Sequence, residues 1–205
     1  MAAFLAGSIP TGYLIGRLFF GVDIRTRGSG NIGMTNVWRV FGAPWGMACL
    51  LVDVAKGLIP VLAYRALAEP AGMAGLSWGA VGVGVAAVLG HTFTPWLGFR
   101  GGKGIATGLG VLIGWLGSYA VIPFLVFLVV LALFRIVSLA SISGGVAFVA
   151  LCFYLESLTN LRALSIFMLL FILWTHRSNL RRLFRGEEPR ISLPLGRRAG
   201  GGGSG

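Results

Sequence analysis

Two glycine-rich, basic segments carry most of the residues able to do chemistry. The first reads Arg25-Thr-Arg-Gly-Ser-Gly-Asn-Ile-Gly-Met-Thr-Asn-Val-Trp-Arg39, with glycines at 28, 30 and 33. Glycine lets a backbone curl until successive N–H groups point at one anion, and Ser29, Asn31, Thr35 and Asn36 add further donors. Arg39 can supply a fixed fork of positive charge. Taken alone, such a segment is equally a polar connector. The second segment, Gly98-Phe-Arg-Gly-Gly-Lys-Gly-Ile-Ala-Thr107, sets Lys103 among Gly101, Gly102 and Gly104 at the expected start of a helix. Helix amino termini favour anions through free N–H groups and the helix dipole, and a lysine adds a full charge. This is the logic of a P-loop without its sequence. Gly98 to Lys103 supply the first part of that motif, but Gly104 replaces the required hydroxyl residue, and no acidic strand follows, so a nucleotide triphosphatase is disfavoured.

Other polar residues stand out because the chain is otherwise so apolar. A third segment, Arg135-Ile-Val-Ser-Leu-Ala-Ser-Ile-Ser143, offers hydroxyls where another helix begins, and helix capping is a sufficient reading of Ser138 or Ser141. His176 and Asn179 are three apart and so share one helical face. His91 lies in Gly-His-Thr-Phe-Thr-Pro-Trp as either a buried hydrogen-bonding residue or part of the same site. Asp53 and Lys56, also three apart, fall inside an apolar stretch. There they either neutralise each other as a structural pair or line a polar route. Cys49 and Cys152 lie in apolar runs without metal-ligand spacing, so neither a metal site nor a disulfide framework is expected.

The elements that must position these residues follow from composition. Of 205 residues, 56% are hydrophobic and 11% charged, and the mean hydropathy is +0.86, too apolar for an ordinary soluble domain. Lys and Arg number 17 against 6 Asp and Glu. In a hydrophobic chain such an excess belongs to short cytoplasmic loops, so nucleic acid is not expected as a partner. The first apolar stretch has no basic region before it and no clear cleavage site, so a removable signal peptide is not expected. An all-α, polytopic membrane helix bundle of one domain over residues 1–195 is expected, followed by a Gly-rich tail, 196–205, that resembles linker sequence.

A spanning helix needs about 20 mainly apolar residues. Expected spans run from Ala2 to Gly21, interrupted by Pro10, from Pro44 to Leu67, and from Leu76 to Gly98. The uninterrupted stretch 104–134 is either one tilted helix or two short ones. Lys103 precedes it and Arg135 follows it, and the positive-inside tendency puts both on one side, so the chain must cross twice with a turn at Gly117, Ser118 and Tyr119. Two further spans, 142–156 and 161–175, bring the expected total to about seven. With the amino terminus outside and the carboxyl terminus cytoplasmic, fourteen basic residues share the inner face: Arg17, Arg25, Arg27, Arg39, Arg100, Lys103, Arg135, Arg177, Arg181, Arg182, Arg185, Arg190, Arg197 and Arg198. Only Arg65 and Arg162 fall outside. Trp38, Trp45, Trp78, Trp96 and Trp115 lie mostly near span ends and read as an interfacial belt.

In combination these motifs are specific. Gly28-Ser-Gly-Asn-Ile-Gly-Met-Thr-Asn36 with Arg39, His91 with Phe99-Arg-Gly-Gly-Lys-Gly-Ile-Ala-Thr107, and Ser141 with His176 and Asn179 resemble the bacterial acyl-phosphate:glycerol-3-phosphate acyltransferase family (PlsY) over residues 1–190. The resemblance implies transfer of a fatty acyl group from acyl phosphate to the 1-hydroxyl of glycerol 3-phosphate, at the cytoplasmic face of the bacterial inner membrane. Lysophosphatidate and phosphate would be the products. It implies Lys103, Ser141, His176 and Asn179 as catalytic residues. Ser29, Gly30, Asn31, Thr35, Asn36, Arg39, His91, Gly101, Gly102 and Gly104 become substrate-binding residues. Both substrates carry phosphate, which suits two anion-binding loops on one face, and the bilayer can hold the acyl tail. An acyl phosphate already has a good leaving group, so no metal or cofactor is expected, and the protein can act by positioning and charge stabilisation. His176 is the best candidate base, with a substrate phosphate oxygen as the alternative. Acyltransferases that use a His followed five positions later by Asp are a poor match, since Trp96 occupies that place after His91.

Two other classes compete. A small anion transporter would use Asp53 and Lys56 near the membrane midplane, whereas the polar motifs here cluster at one edge. A structural membrane subunit would leave Lys103 between Gly102 and Gly104 without a reason.

Overall fold

The computed structural model describes residues 1–69 and 76–191. Arg197, Arg198 and the tail 196–205 lie outside the described residues. All regular structure among the described residues is helical. The helices are α1 (Ala2–Gly7), α2 (Thr11–Phe20), α3 (Met34–Phe41), α4 (Ala43–Ala68), α5 (Trp78–Thr92), α6 (Ile105–Leu116), α7 (Val121–Phe134), α8 (Val137–Tyr154), α9 (Arg162–Thr175) and α10 (Arg177–Phe184). Among the described residues four runs are long and apolar enough to cross a membrane, namely Ala43–Ala68, Trp78–Leu97, Ile105–Phe134 and Val137–Tyr154. A fifth results if α9 and α10, bent by 66° at their junction, count as one broken span. Leu51, Ile59, Leu62, Val129, Leu133 and Leu170 are all exposed on the outside of the bundle, as expected where the surrounding medium is hydrocarbon.

The run Ile105–Phe134 is not one rod. Thirty residues of straight helix would separate its ends by about 45 Å. Yet Lys103 donates to Asn179, Asn179 donates to Glu188, and Ser138 donates to the same Glu188 carboxylate. Both ends of the run therefore meet at one place. The chain reverses at a 3-10 turn over Gly117–Ala120, where Gly117 adopts φ 55° and ψ −123°, a backbone shape that a side chain would oppose.

α4 packs most extensively on α6, and small residues set the approach of the two helices. A methyl on Gly57 would stand 2.1 Å from the Thr107 carbonyl oxygen, and one on Gly110 would stand 2.0 Å from that of Val54. The first apolar stretch joins the bundle although Pro10 breaks it: α1 packs on α5 and α4, and α2 packs on α4. At the break, Lys56 Nζ donates to the Ile9 carbonyl at 2.7 Å and pairs with Asp53 Oδ1 at 2.7 Å. Thr11 Oγ1 donates to the same carboxylate at 2.8 Å. Asp53 and Lys56 are thus a buried structural pair that stitches the broken first stretch to α4. Unlike the charges expected on a transporter's path, both are satisfied internally.

The third expected span agrees with the run Trp78–Leu97, within which the α-helix ends at Thr92 and Pro95–Leu97 form a 3-10 turn. Two sequence expectations change. Trp115 is not an interfacial residue: it is buried, fits against Gly84 and donates to the Ala80 carbonyl at 2.9 Å. Neither Ser138 nor Ser141 caps α8, whose amino end has no side-chain cap. Ser138 reaches Glu188 instead, and Ser141 Oγ bonds back to the Val137 carbonyl at 2.8 Å.

Candidate functional site

The site is built at one end of the bundle from the amino ends of α6 and α8, the α9–α10 junction and the first glycine loop. The second glycine loop fixes where Lys103 stands. Gly101 and Gly102 donate their N–H groups to the Thr92 and His91 carbonyls, at 2.9 and 3.1 Å, closing the loop on the end of α5. A methyl on Gly102 would lie 2.1 Å from His91 Nε2, and one on Gly101 would lie 1.9 Å from the His91 carbonyl oxygen. These two glycines, and His91 beneath them, hold the loop close to the bundle, and their N–H groups are spent on it. His91 Nδ1 stands 3.9 Å from Asp53 Oδ1, so the loop rests on the same buried cluster that repairs the Pro10 break. Gly104 then turns with φ 80° into α6, which no side chain caps. An uncapped twelve-residue helix with a lysine beside it is an anion-binding arrangement.

Lys103 Nζ donates to Asn179 Oδ1. Burial lowers the Lys103 pKa to about 8. The Glu188 charge opposes that shift, while the Arg182 and Arg39 charges add to it. The lysine therefore carries its proton below about 8 and loses it as pH rises through that value. Arg39, exposed at the end of α3, thereby belongs to the same electrostatic cluster as Lys103.

His176 lies at the 66° bend and is 2% exposed. Its Nδ1 is 2.9 Å from the Ile172 carbonyl, which can only accept, so Nδ1 carries the hydrogen, and in the neutral ring Nε2 keeps the lone pair. The bend turns the face bearing Asn179 toward Lys103 while His176 remains at the joint. Ser141, one turn into α8, is buried at the same end as Ser138.

The first glycine loop is organised by Asn36, which is 1% exposed. Its Oδ1 accepts from the Ser29 N–H at 2.8 Å, and its Nδ2 donates to the carbonyls of Arg27 and Asn31, at 3.1 and 2.9 Å. Asn31 Oδ1 accepts from the Gly33 N–H at 2.8 Å, and the Gly30 N–H bonds the Arg27 carbonyl at 3.0 Å. Asn31 and Asn36 thus shape the loop from within. Beside them, Ser29 and Arg39 are exposed, and Thr35 is half-buried with its hydroxyl donating to Met34 Sδ at 3.8 Å. The two glycine loops meet at a depression lined by Asp23, Arg25, Thr26, Gly30, Arg100 and Gly101. Arg25 is taken there by Asp23, whose carboxyl the Arg25 hydrogen bond draws down to about 2.

The match that decides the family covers residues 1–186, over which the sequence fits the model described as glycerol-3-phosphate acyltransferase. The chain belongs to that family. Relatives named glycerol-3-phosphate acyltransferase include one from Synechococcus elongatus, 45% identical over 198 residues, covering 95% of this chain and 94% of that protein. One from Myxococcus xanthus is 44% identical over 192 residues, covering 93% and 97% respectively. The fold is similar to a crystal structure of PlsY, an integral membrane glycerol 3-phosphate acyltransferase, in its glycerol 3-phosphate form. The TM-score is 0.85, with 38% identity and coverage of 93% of this chain and 92% of that one. The lysophosphatidic acid form of PlsY matches with a TM-score of 0.82. Among the described residues no cluster of three or more His, Cys, Asp or Glu could hold a metal ion.

Within this family fold, sequence reasoning missed one residue at the centre of the cluster. Glu188 accepts hydrogen bonds from Asn179, from Ser138 at 2.8 Å and from Arg182 Nε at 2.8 Å. It sits in a polar carboxyl-terminal segment that gives no helical periodicity and no motif. Its only sequence signal is an acidic pair, Glu187-Glu188, among arginines.

Proposed function

We propose that this protein transfers a fatty acyl group from acyl phosphate to the 1-hydroxyl of glycerol 3-phosphate, releasing lysophosphatidate and phosphate for phospholipid synthesis. The observation that carries this reading is the Lys103–Asn179 bond, which joins an uncapped helix start to the His176 joint and so sets an anion site beside a base. The transferase domain spans residues 1–195. It crosses the bacterial inner membrane seven times with the amino terminus outside and the carboxyl terminus and site on the cytoplasmic side. Two contacts support that orientation. Arg65 and Arg162, the expected outer arginines, bond the Gly114 and Cys152 carbonyls, which lie toward the ends of α6 and α8 away from Lys103 and Ser138.

In the proposed reaction, Lys103 and the amino end of α6 receive one phosphate, with Ser29 and Thr35 of the first loop as further donors. Arg39, Ser141 and Asn179 orient the other substrate. The acceptor hydroxyl oxygen attacks the acyl carbonyl carbon, and its proton passes to His176 Nε2. The new ester bond forms as the bond from that carbon to the phosphate oxygen breaks, and phosphate leaves with the bonding pair. Asn31, Asn36, Gly101, Gly102 and His91 act by holding the two loops in shape. Binding energy is directed to positioning two anionic reactants, and no acyl-enzyme is formed.

Donor choice tests the reading. Detergent-purified protein with glycerol 3-phosphate should form lysophosphatidate from palmitoyl phosphate and none from palmitoyl-CoA or palmitoyl-acyl carrier protein. Product from either thioester but not from the acyl phosphate would overturn the proposed donor, and no product from any of the three would overturn the transferase reading.

A further inference from the structure

The corner between α7 and α8 carries an arginine in a backbone shape that suits glycine. Arg135 ends α7 with φ 59° and ψ 22°, the left-handed conformation in which a helix commonly stops on glycine. The corner is held on both sides: the Arg135 N–H bonds the Leu131 carbonyl, and the Arg135 carbonyl accepts from the Ile191 N–H, each at 2.8 Å. A side chain kept where it strains the backbone points to a use for that side chain.

The surroundings of Arg135 indicate the use. It lines an open depression with Arg190, Ile191, Ala132, Leu133 and Phe134. Both arginines are exposed, and among the described residues neither is held by a carboxylate. Asp23 is taken by Arg17 and Arg25, and Glu188 by Arg182. Glu187 is exposed and in no ion pair among the described residues, and no acidic residue follows Glu188 in the sequence. The apolar wall continues away from the corner. Of the fourteen residues of α7 only Pro123 is buried, and Leu125, Val129 and Leu133, four apart and all exposed, form one stripe that leads up the helix.

We propose that this corner binds one anionic phospholipid, its phosphate between the Arg135 and Arg190 guanidinium groups and an acyl chain along Leu133, Val129 and Leu125. A guanidinium fork matches phosphate oxygens, and a cation at the end of a lipid-facing helix stands at the depth of the headgroups. Two uncompensated positive charges favour a lipid of net negative charge over a zwitterion, whose ammonium they would repel. The apolar stripe favours a lipid over a soluble anion, which would leave Leu133 and Phe134 unused. Binding is read without turnover, so this site stands apart from the acyl-transfer reading.

The test follows lipid binding to the full chain in dodecyl maltoside by native mass spectrometry, with palmitoyl-oleoyl phosphatidylglycerol and the matching phosphatidylcholine as probes. Wild type should retain one phosphatidylglycerol and bind phosphatidylcholine more weakly. Arg135→Gln combined with Arg190→Gln should weaken phosphatidylglycerol binding by at least about 10-fold, the value of one lost charge-assisted hydrogen bond. Arg181→Gln combined with Arg185→Gln, at exposed positions of α10, should leave it unchanged. Arg135→Gly separates side chain from backbone. Glycine suits φ 59°, so the lipid-free variant should melt no lower than wild type, yet phosphatidylglycerol should raise its melting temperature less. If the Arg135→Gln and Arg190→Gln protein does not fold, Arg135→Gly decides. Equal binding of the two lipids, unchanged affinity in the Arg135→Gln and Arg190→Gln protein, or an equal loss in the α10 pair would overturn the inference. So would displacement of the lipid by inorganic phosphate, the sign of a soluble-anion site. A raised KM for palmitoyl phosphate in the Arg135→Gln and Arg190→Gln protein would assign the corner to the acyl donor and overturn it as well.

Discussion

Lys103→Ala is expected to reduce acyl transfer by at least about 10²–10³-fold while leaving the protein folded, a loss typical of removing a preorganised group that stabilises developing charge. Lys103 immediately precedes the uncapped start of α6, and its side chain donates to Asn179. The loop geometry that places it comes from Gly101, Gly102 and His91, which the substitution leaves alone. A circular dichroism melt and a kcat measurement therefore separate the two effects, and near-wild-type turnover would remove Lys103 from the site. The same residue sets a pH limit. With its pKa lowered to about 8, the wild-type rate should fall as pH rises through that region, and Lys103→Arg, which stays charged, should lose that limb.

The second large effect is expected at His176. In single-turnover experiments with both substrates saturating, His176→Ala should slow transfer by about 10²–10⁴-fold, the usual contribution of a positioned general base. The prediction follows from the ring's setting. Nδ1 is tied to the Ile172 carbonyl, the residue is buried at the α9–α10 bend, and Nε2 is the remaining basic atom. Retention of most of the rate would exclude His176 as the base and assign the proton to a substrate phosphate oxygen.

How much of this was legible in the sequence depends on whether the signal was local. Apolar runs and flanking charges are local, so the helices, the Pro10 break and the reversal near Gly117 could be anticipated. The pairing of Lys103 and Arg135 at one end, deduced from charge alone, agrees with the hydrogen bonds that converge on Glu188. The glycine loops were recognisable as loops, but the destination of their N–H groups was not. Gly101 and Gly102 give theirs to the end of α5, and Asn36 binds its own loop, because a backbone near the bundle satisfies itself before it faces a ligand. Ser138 read as a helix cap because its partner, Glu188, is 50 residues away in a segment without periodicity. Contacts across such distances leave no trace in a pattern of neighbours.

The central claim is direct transfer between two phosphorylated substrates at this site, and the coupling of the two products tests it most directly. Phosphate release and lysophosphatidate formation should be measured together with purified wild-type protein and palmitoyl phosphate, with and without glycerol 3-phosphate. The account predicts equimolar products when glycerol 3-phosphate is present and no rapid release of phosphate when it is absent. A stoichiometric burst of phosphate without acceptor would reveal an acyl-enzyme and contradict it.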